Sequence, residues 1–226
     1  MSSNSKEIRY IPAWMKNIDN YKDQKLDVTN NKNVLKFNGI TNYAINNCQI
    51  MQFASEILEQ AKNTKKCYGY DQEWPVKWPS GKSKKTALIQ ICIDHNTCYL
   101  FHIYHLQILP TIFINLLNLE NISWCGVNIK NDFIKLGKDF NINLEMAINN
   151  IIDLGSYLNN VLNFERHLRW SMNDIVQYLL KKRVDKNKII RLSDWDTPDL
   201  SPNQISYAAT DAYVSLLIYE HIKSLE

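Results

Sequence analysis

Four acids and a tyrosine have the types and spacings to gather around metal ions. In "KKCYGYDQEWPVKW", Asp71 and Glu73 flank a single residue where an apolar run ends. On a strand, positions i and i+2 point to one face, so both charges project side by side. Asp132 stands in "GVNIKNDFIKL", just past an apolar run and within the first turns of an expected helix. Asp211 stands in "ISYAATDAYVSLLIY" with Tyr207 four residues earlier, a spacing that puts the two on one helix face. Each acid alone reads equally well as a surface charge, and Asp71 with Glu73 as a strand edge kept from self-pairing. Four acids bordering apolar segments repel one another unless positive charge sits among them, and a pair of divalent cations would supply it.

The elements that must position these residues follow from periodicity. Residues 1–33 are rich in Asn, Lys, Asp and Ser, carry isolated aromatics (Tyr10, Trp14, Tyr21) and show no period, so a mobile arm is expected there. Residues 34–226 form the expected domain. "VLKFNGI" reads as a short strand, and "CQIMQFASEILEQAKN" has apolar residues at helical spacing. The carboxylate strand follows, then a loop over 75–85, then "TALIQICI" and "TCYLFHI" as two strands joined by a tight turn. "LQILPTIFINLLNLE" is expected to be helical despite Pro110, "NISWCGVNI" a buried strand, "KNDFIKLGKDF" a helix and "NIIDLGSYL" the next strand. The rest reads as helical, with Ser171 and Asp174 opening one helix and Ser201-Pro202 with Gln204 opening the last. The order predicts an α/β fold, a mixed sheet flanked by helices.

Composition narrows the function classes. The 226 residues are 45% hydrophobic and 22% charged, enough for one globular domain with a sizeable core. No run approaches a membrane span, and the polar start has no apolar signal segment, so neither a membrane partner nor secretion is expected. Five cysteines without C-x-x-C spacing suit buried thiols rather than a zinc site. A net charge of +3 is too mild to announce nucleic-acid binding by itself.

Together "DQE" on a strand, "GVNIKND" at a strand-to-helix turn and "YAATDAY" on a late helix resemble the DEDD superfamily of 3′-to-5′ exonucleases, in the branch with tyrosine in its third motif. The chain is most similar to the Werner syndrome protein-type exonuclease domains, including stand-alone forms that lack a helicase. "ALIQIC", "CYLFHI", "RWSMNDIVQYLLKK" and "LSDWDTPDLSPNQISYAATDAYVSLLIY" extend the resemblance over roughly Val34 to Ile222. It implies a ribonuclease-H-like fold of about five strands and a metal-dependent 3′-5′ exonuclease acting on DNA in repair or replication. It also implies two Mg²⁺ or Mn²⁺ ions, roughly 3.5 to 4 Å apart in such sites. By the same resemblance Asp71 bridges both ions, Glu73 and Asp211 complete the site that generates hydroxide, Asp132 holds the second ion largely through water, and Tyr207 orients the attacking water. A nuclear location is expected, and any helicase partner would be a separate chain.

Neighbouring residues divide between substrate contact and plain structure. Lys77, Lys82, Lys84 and Lys85 are candidates for phosphate contact, Lys82 and Lys84 foremost, against the alternative of a solvated loop. Trp74 and Trp78 suit stacking on a terminal base, while Trp74 suits packing beneath the site equally. "SGKS" lacks the first glycine of a phosphate-binding loop, since Val76 stands in its place, so ATP use is not expected. His102 and His105 lack zinc-ligand spacing, and Arg169 and Trp170 are read as structural. "KKRVDKNK" reads either as a DNA contact or as a solvated helix end. Ile134 departs from the aromatic that some members carry two residues after the acid. Two competing functions remain open here: an exoribonuclease trimming small RNAs, and an inactive nucleic-acid-binding module. The five intact residues weigh against the second.

Overall fold

Alternation along one central strand organises the molecule. In this computed structural model, which describes residues 33–75, 84–164, 169–185 and 187–226, β3 (Lys66–Glu73) buries Tyr68 and Tyr70 on one side and turns Gly69 and Asp71 to the other. β4 (Leu88–Asp94) and β5 (Thr97–His102) lie antiparallel beside it, joined by a two-residue turn at His95 and Asn96. β6 (Ile122–Gly126) and β7 (Ile151–Asp153) continue the sheet in parallel on the other side, and β2 (Ile40–Ala44) runs parallel to β5 at the far edge. The order β2-β5-β4-β3-β6-β7 makes a six-stranded mixed sheet. β1 (Val34–Leu35) and β8 (Arg183–Val184) form a separate parallel pair.

Helices cover both faces. On the tyrosine side lie α1 (Asn47–Ala61), α2 (Thr111–Leu117) and α3 (Ile129–Phe140), whose Ile50, Ile57, Phe113 and Phe133 join the main apolar core. Tyr70 stacks on Phe133 with ring centroids 4.4 Å apart, and the fully buried Trp124 meets Tyr70 edge-on at 5.8 Å. α4 (Glu145–Asn149) leads into β7, and α5 (Leu154–Val161), α6 (Met172–Leu180) and α7 (Lys188–Arg191) precede the long α8 (Pro202–Lys223). α8 crosses the other face over β3, β4, β5 and β6. Small residues permit its close approach: Ala208, Ala209, Ala212 and Ser215 are buried, and a Cβ on Gly69 would lie 2.0 Å from the Ala212 carbonyl oxygen. Among the described residues no helix is long and apolar enough to cross a membrane.

Three sequence expectations are corrected. "VLKFNGI" is not one strand: Val34–Leu35 pairs with Arg183–Val184, and the sheet edge begins only at Ile40. The break falls at Gly39, where a side chain would sit 2.3 Å from the Asn96 carbonyl oxygen. The helix expected from Leu106 starts only at Thr111, with Pro110 as its N-cap, because proline has no N–H to donate and fits only the first turn. Beyond β7 the chain is not helical throughout. α6 stops at Lys181 in the left-handed region (φ 54°), and the chain then forms β8. The two capping boxes, Ser171 with Asp174 and Ser201 with Gln204, are both formed. Among the cysteines Cys92, Cys98 and Cys125 are buried, whereas Cys48 is exposed.

Candidate active site

Pairing with β4 continues to Glu73 opposite Leu88, and the Ala87 N–H donates to the Glu73 carbonyl at 2.9 Å, so β3 stays rigid through both acids. Asp71 and Glu73 are half-buried. Gln72 points to the opposite face, where it is 3% exposed, accepts from the Tyr70 hydroxyl at 3.2 Å and donates to the Asp132 carbonyl at 2.9 Å. Gln72 thereby ties the start of α3 to the strand that carries the other acids. The turn before α3 is made by Asn128 in the left-handed region (φ 61°), whose N–H donates to Asp153 at 2.7 Å.

Tyr207 and Asp211 arrive on α8, one turn apart. The absence of a side chain at Gly69, two residues before Asp71 on the same strand face, lets α8 settle close enough to bring them to the acids. Trp195 is fully buried, with its ring 6.2 Å from that of Tyr207.

The electrostatics record this convergence. Burial raises the Asp71 carboxyl to about 6, partly offset by the Gln72 N–H that donates to it at 2.8 Å. Burial and then the charge of Asp71 raise Asp132 to about 8. Glu73 is pushed well above the carboxylate range by burial, Asp71 and Asp211, against an opposing pull from Arg191. The Tyr207 hydroxyl is raised by burial and by Asp211, Glu73 and Asp71, so it stays protonated. Glu73 thus senses Asp71, Asp211 and Asp132, and Tyr207 senses Asp211, Glu73 and Asp71, while Asp71, Tyr207 and Asp211 line a cleft of about 410 Å³ together with Lys188, Arg191 and others.

The donor set is four carboxylates and a phenol, with no thiolate or imidazole among them, which suits hard divalent cations. Among the described residues no three acids or metal-binding side chains are drawn into a ready cage, and one Asp71 oxygen is turned to the Gln72 N–H. Gln90, directly across the sheet from Asp71, is 1% exposed and its amide has no protein partner, so polar capacity beside the acids is unmet. These residues fit divalent cations by donor chemistry and by their excess of negative charge.

The flanking residues that are described have other partners. Lys84 is paired with Asp196 at 2.9 Å, while Lys77, Trp78 and Lys82 lie outside the described residues. One face of the Trp74 indole is covered by the Lys135 ammonium at 5.1 Å from the ring centre. Lys135 in turn bonds Asp139 at 2.8 Å and the Lys84 carbonyl at 2.7 Å. His102 is a core residue, held by the Tyr43 hydroxyl at 2.7 Å and the Trp195 carbonyl at 3.0 Å, and its pKa is lowered by burial. Trp170 donates to Asn159 at 2.9 Å and packs near Tyr178. Sequence reasoning missed Gln72, Gln90 and Arg191. For the first two the signal was available: a polar residue at a buried strand position.

The family model described as 3′-5′ exonuclease matches residues 45–225. Curated relatives named 3′-5′ exonuclease from Drosophila yakuba and Drosophila melanogaster are 36% and 35% identical over 196 residues, covering 85% of this chain and 54% and 55% of theirs. The chain therefore spans about half the length of the curated relatives it matches. Among solved structures, the Aedes aegypti Nibbler EXO domain superposes with a TM-score of 0.68 at 19% identity, covering 84% of this chain and 91% of that one. The catalytic core of RRP6 from Trypanosoma brucei gives 0.67 at 16% identity, covering 92% and 54%. These likenesses show a ribonuclease-H-like fold.

Proposed function

The chain belongs to the 3′-5′ exonuclease family, and from that premise we propose that it is a Werner-type enzyme that removes nucleotides from DNA 3′ ends. We place that activity in nuclear repair or replication. One observation carries the proposal: α8 lies against Gly69 closely enough to set Tyr207 and Asp211 in electrostatic reach of Asp71 and Glu73. Exonucleases of this class use divalent metal ions. Asp71, Glu73, Asp132 and Asp211 would hold them here, Mg²⁺ or Mn²⁺, two in number. Bound, the ions would supply charge neutralisation at the phosphate and acidify water.

The chain's own residues supply position. Tyr207 keeps its proton and hydrogen-bonds Asp211, so its role is to align a water for in-line attack on the terminal phosphodiester rather than to take the water's proton. The bond from phosphorus to the 3′ oxygen of the penultimate nucleotide breaks, and a 5′-mononucleotide leaves. Trp195 packs near the Tyr207 ring, tilted at 45°.

The competing substrate is RNA, and RNase D with RNA is among the structures that share the fold. Side-by-side digestion of labelled DNA and RNA, single-stranded and with recessed ends, decides between them. Faster shortening of DNA supports the proposal. Shortening of RNA with DNA left intact replaces DNA by RNA as the substrate.

A further inference from the structure

The helix that begins at the last residue of the "KKRVDKNK" run carries two exposed cations. α7 presents Lys188 and Arg191, three residues apart and so on one face, to the same 410 Å³ cleft as Asp71, Tyr207 and Asp211. Both side chains are exposed, and among the described residues neither forms an ion pair or a side-chain hydrogen bond. Asp185 lines the same wall and pairs with neither.

α7 is also fixed in place. Asn187 caps it by accepting the Ile189 N–H at 3.0 Å. Trp195 donates its indole N–H to the Arg191 carbonyl at 3.2 Å. The Ser193 hydroxyl donates to the Ile190 carbonyl at 2.6 Å and accepts from Gln204 at 2.9 Å. Gln204 belongs to the first turn of α8, so the two cations are anchored to the helix that carries Tyr207 and Asp211.

A cleft with four acids repels a polyanion unless cations line its approach. When a 3′ end lies at the acids, only the strand upstream of it can run along the rim. We propose that Lys188 and Arg191 form a phosphate-binding pair that grips the backbone of the nucleic-acid strand 5′ of the bond to be cut. This rests on the exonuclease reading and deepens it. Arg191 offers a planar fork for two phosphate oxygens, and Lys188 a point charge. Backbone contact carries no base information, so the grip is independent of sequence.

The test is fluorescence anisotropy with two single-stranded DNA oligonucleotides of unrelated sequence, with Ca²⁺ as the divalent ion and over a salt series. Replacing both residues (Lys188→Gln with Arg191→Gln) should weaken both oligonucleotides alike and lower the slope of log K against log salt by about 1.4, at roughly 0.7 per contact. Arg191→Lys should keep the slope while losing affinity with the fork. In turnover, the double variant should lose through KM, about tenfold or more, rather than through kcat. An unchanged slope overturns the proposal. So does a fall in kcat with KM unchanged, which would assign Arg191 to Glu73 instead of phosphate. A wild-type protein that binds with the full slope yet shortens no 3′ end would remove the exonuclease reading and leave the phosphate pair standing. A wild-type protein that binds neither oligonucleotide overturns both.

Discussion

At the scale of single residues, the proposed site separates groups that hold charge from a group that holds position. Tyr207→Phe removes one hydroxyl and little volume. Turnover is expected to fall by about 10² to 10⁴, the range for losing a positioned proton-handling group, with divalent-cation affinity retained. Steady-state kinetics beside a cation titration checks this, and unchanged turnover would reduce Tyr207 to packing against Trp195. Glu73→Gln is expected to abolish cleavage and to raise the melting temperature of the metal-free protein, since it removes a carboxylate destabilised by burial, Asp71 and Asp211. The motif spacings were legible in the sequence, and the structure places Glu73 in electrostatic reach of Asp71, Asp132 and Asp211, and Tyr207 in reach of Asp211, Glu73 and Asp71. Arg191 was not legible, because an arginine in "KIIRLSDW" has no period or motif that aims it at a cleft built by another helix.

At the scale of elements, the contact between β3 and α8 decides the site. A Cβ at Gly69 would meet backbone, the Ala212 carbonyl at 2.0 Å and the Leu216 nitrogen at 2.9 Å, and neither can rotate away. Gly69→Ala is therefore expected to cost about 1–3 kcal/mol, as overpacking does, and to push α8 off the sheet. A displacement of about 1 Å between Asp211 and Asp71 would lower turnover per folded molecule by about 10². Thermal melts and active-site-normalised rates measure the two effects, and wild-type values in both would show that the contact is not close. Helix starts were readable at Ser171 and Ser201, where a capping box makes the signal local, but not at Asp153, which caps α5 inside a run read as strand. The edge strand Ile40–Ala44 and the pair β1–β8 were not, since both are set by partners more than 50 residues away in sequence.

At the scale of the whole molecule, the acids make stability depend on pH and on cations. Asp71, Glu73 and Asp132 have folded-state pKa values above their ordinary ones, so the native state binds more protons than the unfolded chain over that range. Their stabilising contribution is complete below the ordinary carboxylate range and is lost as pH rises through about 6 for Asp71 and about 8 for Asp132. The melting temperature of the metal-free protein should fall as pH rises from about 6.5 to about 8.5, above the range in which the buried His102 takes up a proton. Mg²⁺ or Mn²⁺ should restore it most at the alkaline end, where the carboxylates are ionised. A flat profile without cations would mean that the acids do not share one site. The central claim, that these carboxylates with divalent cations cut from 3′ ends, is tested most directly by one digestion of a 5′-labelled oligonucleotide. Wild-type protein and Asp71→Asn are compared with Mn²⁺ or with a chelator. A ladder shortening from the 3′ end should appear only for the wild type with the cation. The same ladder from Asp71→Asn or in chelator, or release of the label as a mononucleotide before any shortening, would contradict it.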